Sequence, residues 1–379
     1  MNLIALKILI GDRAKYIGLI FGIIFATFLM SQQMSLFVGI MSRTFSIVEQ
    51  IDEVDIWVMD PKVQYIDGIE PIPDINLARV RGVDGVKRAT KFFKGNVVAK
   101  VNSMLQMVTL IGPDDVSFIG APQKMIMGNV ADLKKPNAVI IDETGYKYIW
   151  PNEPFQINRE FEANDQRMNL VGIADTVPAF SSPVLIYSLY SNAINYSGAS
   201  RNKLSFVLVD VEDGKNAKEV AKNITKRTGL KALTAKEFKF ETLKYYMTHT
   251  GIAINFGVTV MLGFLVGAAI SGQTFYIFIN ENLRQFAVLK AVGVNNRQIL
   301  LMVLLQALTV ATIGYAIGIG LTSIFFIKVA ASTATFKGFI LPWQVVAIVF
   351  VAIISIMTII SFFSIRKVVA TDPSLVFRN

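Results

Sequence analysis

The side chains that could do chemistry are few, and their spacing argues against catalysis. The 379-residue chain has one histidine, His249, and no cysteine. That removes thiol chemistry and disulfides, and one imidazole without thiolates cannot build a usual transition-metal site. His249 reads as a structural residue where a helix meets a membrane-length apolar run. The acidic pairs Asp114-Asp115 and Glu212-Asp213 follow strand-like runs beside Pro or Gly, so they read as turn carboxylates. The fragment Asp213-Gly214-Lys215-Asn216 lacks the preceding glycine and the hydroxyl residue of a G-x-x-x-x-G-K-S/T phosphate loop. No catalytic, cofactor-binding or metal-ligating residue is assigned, and the chain is read as not an enzyme.

The charged residues that do carry a pattern lie in Asn280–Ile299, NENLRQFAVLKAVGVNNRQI. Glu281, Arg284, Lys290 and Arg297 are too costly to leave unpaired in hydrocarbon. Yet the stretch is flanked by the apolar runs Gly251–Ile279 and Leu300–Ile327, each longer than the about 20 residues a bilayer requires. Phe286, Leu289 and Val292 recur at helical spacing, with Arg284 and Lys290 opposite, and Gly293 and Asn295-Asn296 mark a stop. The spacing predicts a short amphipathic helix held at the membrane surface.

Composition agrees with a chain that is partly wet and partly in lipid. It is 53% hydrophobic with mean hydropathy +0.49, and 17% charged; soluble domains average about 45–50% apolar. The net charge of +9 would suggest nucleic acid in a soluble protein, but no basic patch is interleaved with aromatic platforms. Lys and Arg gathered in cytoplasmic loops account for it better. No nucleic-acid partner is expected.

In chain order, residues 1–15 read as an amphipathic N-terminus, with Leu3, Leu6 and Ile10 on one face beside Lys7, Arg13 and Lys15. Residues 16–50 read as a first span and a stalk helix continuing through Met41, Phe45 and Val48. The apolar run is too long for a signal-peptide core and lacks a small-residue cleavage site. From 51 to 236 short apolar runs (VDIWVMDP, VVAKVN, MVTLIGPDD, NAVIID, MNLVGIAD, PVLIYS, LSFVLVDVEDG) alternate with turn residues and read as strands. Helices are expected at Ile75–Val80 and Gly214–Thr228. Without strict βαβ alternation this is an α+β domain, in one body or two lobes. A second stalk helix, with Phe238, Leu243 and Tyr246 along it, and the second span fill 237–279. A link follows at 280–299, the third span at 300–327, a short outer loop at 328–342, the fourth span at 343–365 opened by Trp343, and a tail at 366–379. The fold class is therefore membrane α-helical with an inserted α+β domain, four spans arranged 1 + 3.

Orientation follows from the cationic residues. With the N-terminus inside, the inner segments hold Lys7, Arg13, Lys15, Arg284, Lys290, Arg297, Arg366, Lys367 and Arg378, against Lys328 and Lys337 in the short outer loop. Both termini and the link are expected in the cytosol, and the large domain outside it.

The spans themselves carry no acidic or basic residue, which weighs against proton- or ion-coupled transport. Ser31, Gln32, Gln33, Ser35, Ser271, Gln273, Thr274 and Gln306 are candidates for interhelical hydrogen bonds or a polar lining. Small residues at four-residue spacing, Gly263/Gly267/Ser271 and Gly314/Gly318, allow close helix approach, either within the chain or at a dimer seam.

The layout resembles the permeases of the FtsX/MacB/LolC type. Glu281 to Gly293, ENLRQFAVLKAVG, resembles that family's E-x-x-R-E-I/Y-A/G-x-L-K/R-A-I/M/V-G segment, and Arg366-Lys367…Asp372-Pro373 is similar to its ending. Val54–Pro61, Phe238–Thr250 and Met261–Gly267 extend the similarity to DevC-like permeases. The resemblance implies that Glu281, Arg284, Phe286, Leu289, Lys290 and Gly293 belong to a coupling helix docked on a separate ABC ATPase, which binds ATP and Mg in place of this chain. MacB-type relatives carry that ATPase in their own N-terminus. It further implies an inner-membrane protein paired with a second permease copy, a membrane-fusion adaptor and an outer-membrane channel, exporting a lipid-like or other amphiphilic cargo by mechanotransmission. The alternatives within the family are a non-transport regulator of the cell-division type and a lipoprotein-releasing permease.

Overall fold

The computed structural model describes residues 2–11, 13–101, 104–198, 203–332 and 336–370. Asp372-Pro373, Arg378 and most of the expected tail lie outside the described residues, as do the side chains of Leu3, Leu6, Ile10, Arg13, Lys15 and Lys367. The chain divides into a membrane unit, residues 1–38, 253–329 and 339–379, and a domain unit, residues 39–252 and 330–338.

Two helices open the chain, α1 (Asn2–Gly11) and α2 (Arg13–Thr44), and a one-residue break at Phe45 precedes α3 (Ser46–Gln50). The expected continuous stalk through Val48 is thus interrupted, and the Thr44 hydroxyl bonds back to Met41 O at 2.6 Å beside the break. The domain continues with β1 (Ile56–Met59), β2 (Ile72–Pro73), α4 (Ile75–Arg81), β3 (Val86–Val101), β4 (Met104–Gly112), β5 (Met125–Met127), β6 (Ala138–Asp142), α5 (Glu143–Ile149), β7 (Glu160–Ala163), β8 (Gln166–Ala174), β9 (Leu185–Tyr187), α6 (Tyr190–Ser197), β10 (Lys203–Leu204), β11 (Phe206–Val211), α7 (Ala217–Thr228), β12 (Lys231–Thr234) and α8 (Ala235–His249). The membrane unit follows: α9 (Ile252–Glu281), α10 (Leu283–Ala291), α11 (Asn296–Ser332) and α12 (Trp343–Ala370). Helix α8 starts at a capping box in which Thr234 and Glu237 satisfy each other's free groups.

The domain has two lobes threaded on one strand. In the first, β1, α4, β3, β11, α7 and β12 follow one another as βαββαβ, and the antiparallel sheet runs β12-β1-β11-β3. This is a ferredoxin-like arrangement with α4 and α7 on one face. The second lobe is inserted between its second and third strands. There β3-β4-β9-β6-β8-β7 pair in a ring that closes back on β3 through Ala99↔Ala163, with β5 added outside β8. Closure removes free edges that would otherwise invite pairing with other chains. Strand β3 serves both lobes, residues 86–92 pairing with β11 and residues 93–101 with β4.

Trp57 anchors the face of the first lobe opposite α4 and α7, fully buried, with the rings of Phe92, Phe206 and Phe238 centred 5.5–5.6 Å away. Phe238 belongs to α8, so this cluster fixes the stalk helix to the sheet. A polar latch adds to it: Asp67 accepts from the Tyr246 hydroxyl at 2.8 Å and from buried Lys94 at 2.5 Å. The lone His249 is exposed at the end of α8, stacked on Tyr245. Of the α8 residues read from the sequence, Phe238 and Tyr246 are buried and Leu243 half-buried.

Among the described residues, four helices are long and apolar enough to cross a membrane: Tyr16–Thr44, Ile252–Glu281, Asn296–Val329 and Trp343–Arg366. Helix α2 lies between α9 and α11, and glycines set the distance. A methyl group on Gly267 would overlap Ala26 Cβ, and one on Gly263 would touch Leu29 and Met30 at 3.5 Å. On the other side, a methyl on Gly314 would meet Ile23 at 2.6 Å, and one on Gly318 would meet Thr27 at 2.6 Å and Ile24 O at 3.0 Å. These small residues therefore face a neighbour in the same chain. Ser31 and Thr322 share a hydroxyl hydrogen bond of 2.7 Å across the α2–α11 contact, and Gln306 Nε2 donates to Ala5 O at 2.7 Å.

This packing predicts the outcome of adding single methyl groups. Gly267→Ala and Gly318→Ala should each cost about 1–3 kcal/mol through overpacking. Gly320→Ala, which meets open space, should be neutral or slightly stabilising. Thermal unfolding of the full-length protein in detergent distinguishes these, and three equal melting temperatures would contradict the close approach.

Candidate functional site

The link between α9 and α11 is a nine-residue helix, α10, tied to α9 before its start and closed by a C-terminal motif. Asn282 precedes it, and its Nδ2 donates to Phe278 O at 2.8 Å, tying the corner to the last turn of α9. At the other end Gly293 adopts φ +98°, which an L side chain resists. Val294 N–H then donates to Leu289 O at 3.0 Å and Gly293 N–H to Lys290 O at 2.9 Å. These two bonds make a Schellman motif, which satisfies the last carbonyls of α10. Asn295 begins the next helix, its N–H donating to Gln298 Oε1 at 3.1 Å while Gln298 N–H donates to Asn295 O at 2.9 Å. That cap starts α11 at Asn296, earlier than the expected third span at 300.

Phe286 is fully buried in the membrane unit's core with Phe278, Ile279, Ile299 and Ile365, and α10 packs against α12. Ala287 is buried beside it, and Leu283 and Leu289 are half-buried on the same core. This corrects the expected helical phase. Val292 was placed on the apolar face but is 80% exposed, and Lys290, placed opposite Phe286, is half-buried one turn beyond it. The physical reason is the phase chosen: Leu283, Phe286 and Ala287 at i, i+3 and i+4 define the inward face, and that phase turns Val292 outward.

The outward face of α10 consists of Arg284, Gln285, Val288, Ala291 and Val292, with Val288 42% exposed. Glu281, Gly293 and Arg297 are exposed at its two ends. An apolar strip flanked by cationic residues, on a helix closed at its C-terminal end, is a shape suited to docking a protein surface. The outward placement of Val288 and Val292 was missed in the sequence. The i, i+3, i+4 pattern through Leu283 was the signal that would have found them.

Elsewhere in the molecule, Gly263, Gly267, Gly314, Gly318 and the fully buried Ser271 are spent on the contact with α2 or on the interior of the membrane unit. In the domain, a cleft of about 800 Å³ is bordered by Arg81, Lys87, Arg88 and Lys91. Lys87, Arg88 and Lys91 already face Asp213, Asp210 and Asp115, at 3.3, 3.4 and 3.3 Å, and Arg81 Nε donates to Ala89 O. Asp114 takes up its turn role, accepting from Ser117 N–H at 3.0 Å and from its hydroxyl at 2.9 Å. Among the described residues no group of three His, Asp or Glu side chains is placed to hold a metal.

Four membrane-length helices and a large α+β domain inserted after the first of them define a multi-pass membrane protein with a soluble module. Residues 257–373 match the FtsX-like permease C-terminal family. An uncharacterized ABC transporter permease of Mycobacterium bovis is 36% identical over 124 residues, 32% of this chain and 33% of that protein. Another, from Mycobacterium tuberculosis, is 23% identical over 313 residues, 82% of this chain and 80% of that protein. The chain thus matches about a third of the length of the first relative and four fifths of the second. Among solved structures, the periplasmic region of MacB from Actinobacillus actinomycetemcomitans aligns with 51% of this chain and 96% of that one, at 14% identity and a TM-score of 0.37. Residues 257–373 thus match the FtsX-like permease C-terminal family, and the chain is similar to ABC transporter permeases over up to four fifths of its length.

The corrected phase of α10 has a direct consequence for stability. Phe286→Ala should cost about 3–5 kcal/mol by emptying the core beneath the helix. Val292→Ser should stay within about 0.5 kcal/mol of the parent, as surface changes do. Unfolding of the two variants in detergent checks the assignment, and equal losses would restore the original phase.

Proposed function

We propose that this chain is the membrane subunit of an ATP-driven ABC export system and that α10 is the surface on which a separate ATPase docks. The observation that carries this is the outward face of α10. It is a short helix between two spans that presents Val288 and Val292 between Arg284 and Arg297. Motion delivered to such a helix would pass into α9 and α11, because short connections, tied by Asn282 on one side and closed by Gly293 and Val294 on the other, join it to both. The printed names of the relatives, ABC transporter permeases, support the same reading.

In this reading ATP and Mg are bound by the partner, and nucleotide-driven movement is carried by α2 and α9 through α3 and α8 to the domain. The excess of Lys and Arg near α1, α10 and the end of α12 supports a cytosolic side for those segments and an outer side for the domain, in a protein of the inner membrane. A second permease copy, a membrane-fusion adaptor and an outer-membrane channel complete the assembly. The cargo is lipid-like or otherwise amphiphilic and is handled by the domain, since the spans hold no charged residue in their middle stretches. Glu281, Arg284 and Gly293 belong to the docking surface or its ends, whereas Phe286 and Leu289 position it from beneath and Lys290 lies at its margin.

With the cognate ATPase co-expressed, Arg284→Glu and Val288→Asp should each reduce permease-stimulated ATP hydrolysis about tenfold, near 1.4 kcal/mol of coupling. Insertion and melting temperature should be preserved. Unchanged stimulation in both would end the docking assignment. Orientation is tested separately: a reporter that is active only after export, inserted at the exposed Gly198, should be active, and activity of a cytosol-only reporter there would invert the topology.

A further inference from the structure

The third and fourth spans are joined by a short connection, in which Phe336, Lys337 and Gly338 belong to the domain unit and Phe339–Pro342 to the membrane unit. The side chain that fastens them is Lys337. Its Nζ lies 2.6 Å from Glu143 Oε2 and 2.6 Å from Asp175 Oδ1, and its backbone carbonyl accepts a 3.0 Å hydrogen bond from Arg43 Nη2. Those partners come from the start of α5, the residue after β8 and the last turn of α2. The surface pairs at Lys87, Arg88 and Lys91 stand 3.3–3.4 Å apart. Those at Lys337 are short enough for charge-assisted bonds, and the ammonium is three quarters buried, where salt screens it less.

The electrostatics favour the fastened state. Burial alone would lower the pKa of Lys337, but hydrogen bonds to Asp175 and Glu143 outweigh it and hold the pKa above its usual value. Burial likewise opposes ionisation of Glu143, yet Lys147 and Lys337 together keep its pKa below normal. Neighbouring Asp142 is occupied differently. It caps α5 by accepting from Gly145 N–H at 3.0 Å, and it accepts from Leu185 N–H at 2.7 Å. Burial pushes its pKa up to about 7 against those bonds, and the direct contacts of the lysine ammonium are Glu143 and Asp175.

The segment after β8 is also gripped by α3. The Gln50 side chain donates to Val177 O and accepts from Val177 N–H, both at 3.0 Å, and Ser46 Oγ donates to Pro178 O at 3.1 Å. One short stretch, Asp175–Pro178, is therefore held both by the chain leaving α2 and by the chain joining α11 to α12.

We propose that the α11–α12 connection is a strap buckled to the domain by Lys337, giving the domain a mechanical input from the third and fourth spans that is separate from α2 and α8. An ion pair suits a fastening that must open and close. Its attraction is largely offset by the water the charges recover on release, whereas an apolar contact of the same size would have no such compensation. On release of Lys337, Glu143 keeps Lys147 at 2.7 Å, so the side chain most affected is Asp175.

The chain has no cysteine, so a spin label on Ile340→Cys, an exposed position near the buckle, reports strap mobility in the full-length protein in lipid nanodiscs. Lys337→Gln should raise the label's rotational rate about twofold or more. The pair Glu143→Gln with Asp175→Asn should match it, and Lys337→Arg should keep the parent's slow spectrum. A second label on Tyr148→Cys of α5 should remain slow in every variant. An unchanged Ile340→Cys spectrum in both neutralised proteins would overturn the strap. A rise at Tyr148→Cys as well would overturn it too, because the ion pairs would then be holding the lobe folded.

Discussion

Lipid gives packed helices no hydrophobic reward for leaving it, and this constraint shapes the whole membrane unit. What holds α2, α9 and α11 together must come from close contact and from the few hydrogen bonds that cross between them. The glycines at 263, 267, 314 and 318 supply the first by letting α2 approach on both sides, and the Ser31–Thr322 hydroxyl pair supplies the second. With α2 fixed in this way, motion of α9 and α11 cannot leave it unmoved. The small-residue spacing that might have served a dimer is already used inside one chain, so a second copy would have to meet other faces.

Much of this was readable because burial on both faces leaves a simple signature. Strands β1, β6, β8 and β11 are apolar runs bounded by turn residues, and each was expected where it occurs. The first half of β3 was not. Residues Lys87, Arg88 and Lys91 make Val86–Phe92 look like a loop, although its backbone pairs with β11 apart from an irregularity at Lys87. Strands β7 and β12, EFEA and KALT, have too few apolar residues to stand out, and tertiary pairing alone makes them strands. Helix α5 went unseen because its seven residues depend on Asp142 as a buried cap, a contact invisible in the sequence.

The link between the second and third spans shows where pattern reading reaches its limit. Its existence, length and stop at Gly293 were all legible. Its phase was not, because Phe286, Leu289 and Val292 fit a helical stripe nearly as well as Leu283, Phe286 and Ala287 do. Only packing against α12 and the core around Phe278 decides between them. The consequence reaches function: the choice moves Lys290 from the outer surface to its margin and puts Val288 at the centre.

The two lobes of the domain are built for different mechanical duties. The ferredoxin-like lobe has its stalk helix α8 fixed through Trp57 and Asp67, by aromatic packing and a buried lysine, contacts that are costly to break and slow to remake. The closed ring of the second lobe meets α3 and the α11–α12 connection at Asp175–Pro178, through hydrogen bonds and a partly exposed ion pair, contacts that water can replace. Strand β3 passes through both lobes, so displacement of one is felt in the other along a continuous backbone. With the proposed strap released, the ring would be freer to move against the lobe that carries α8.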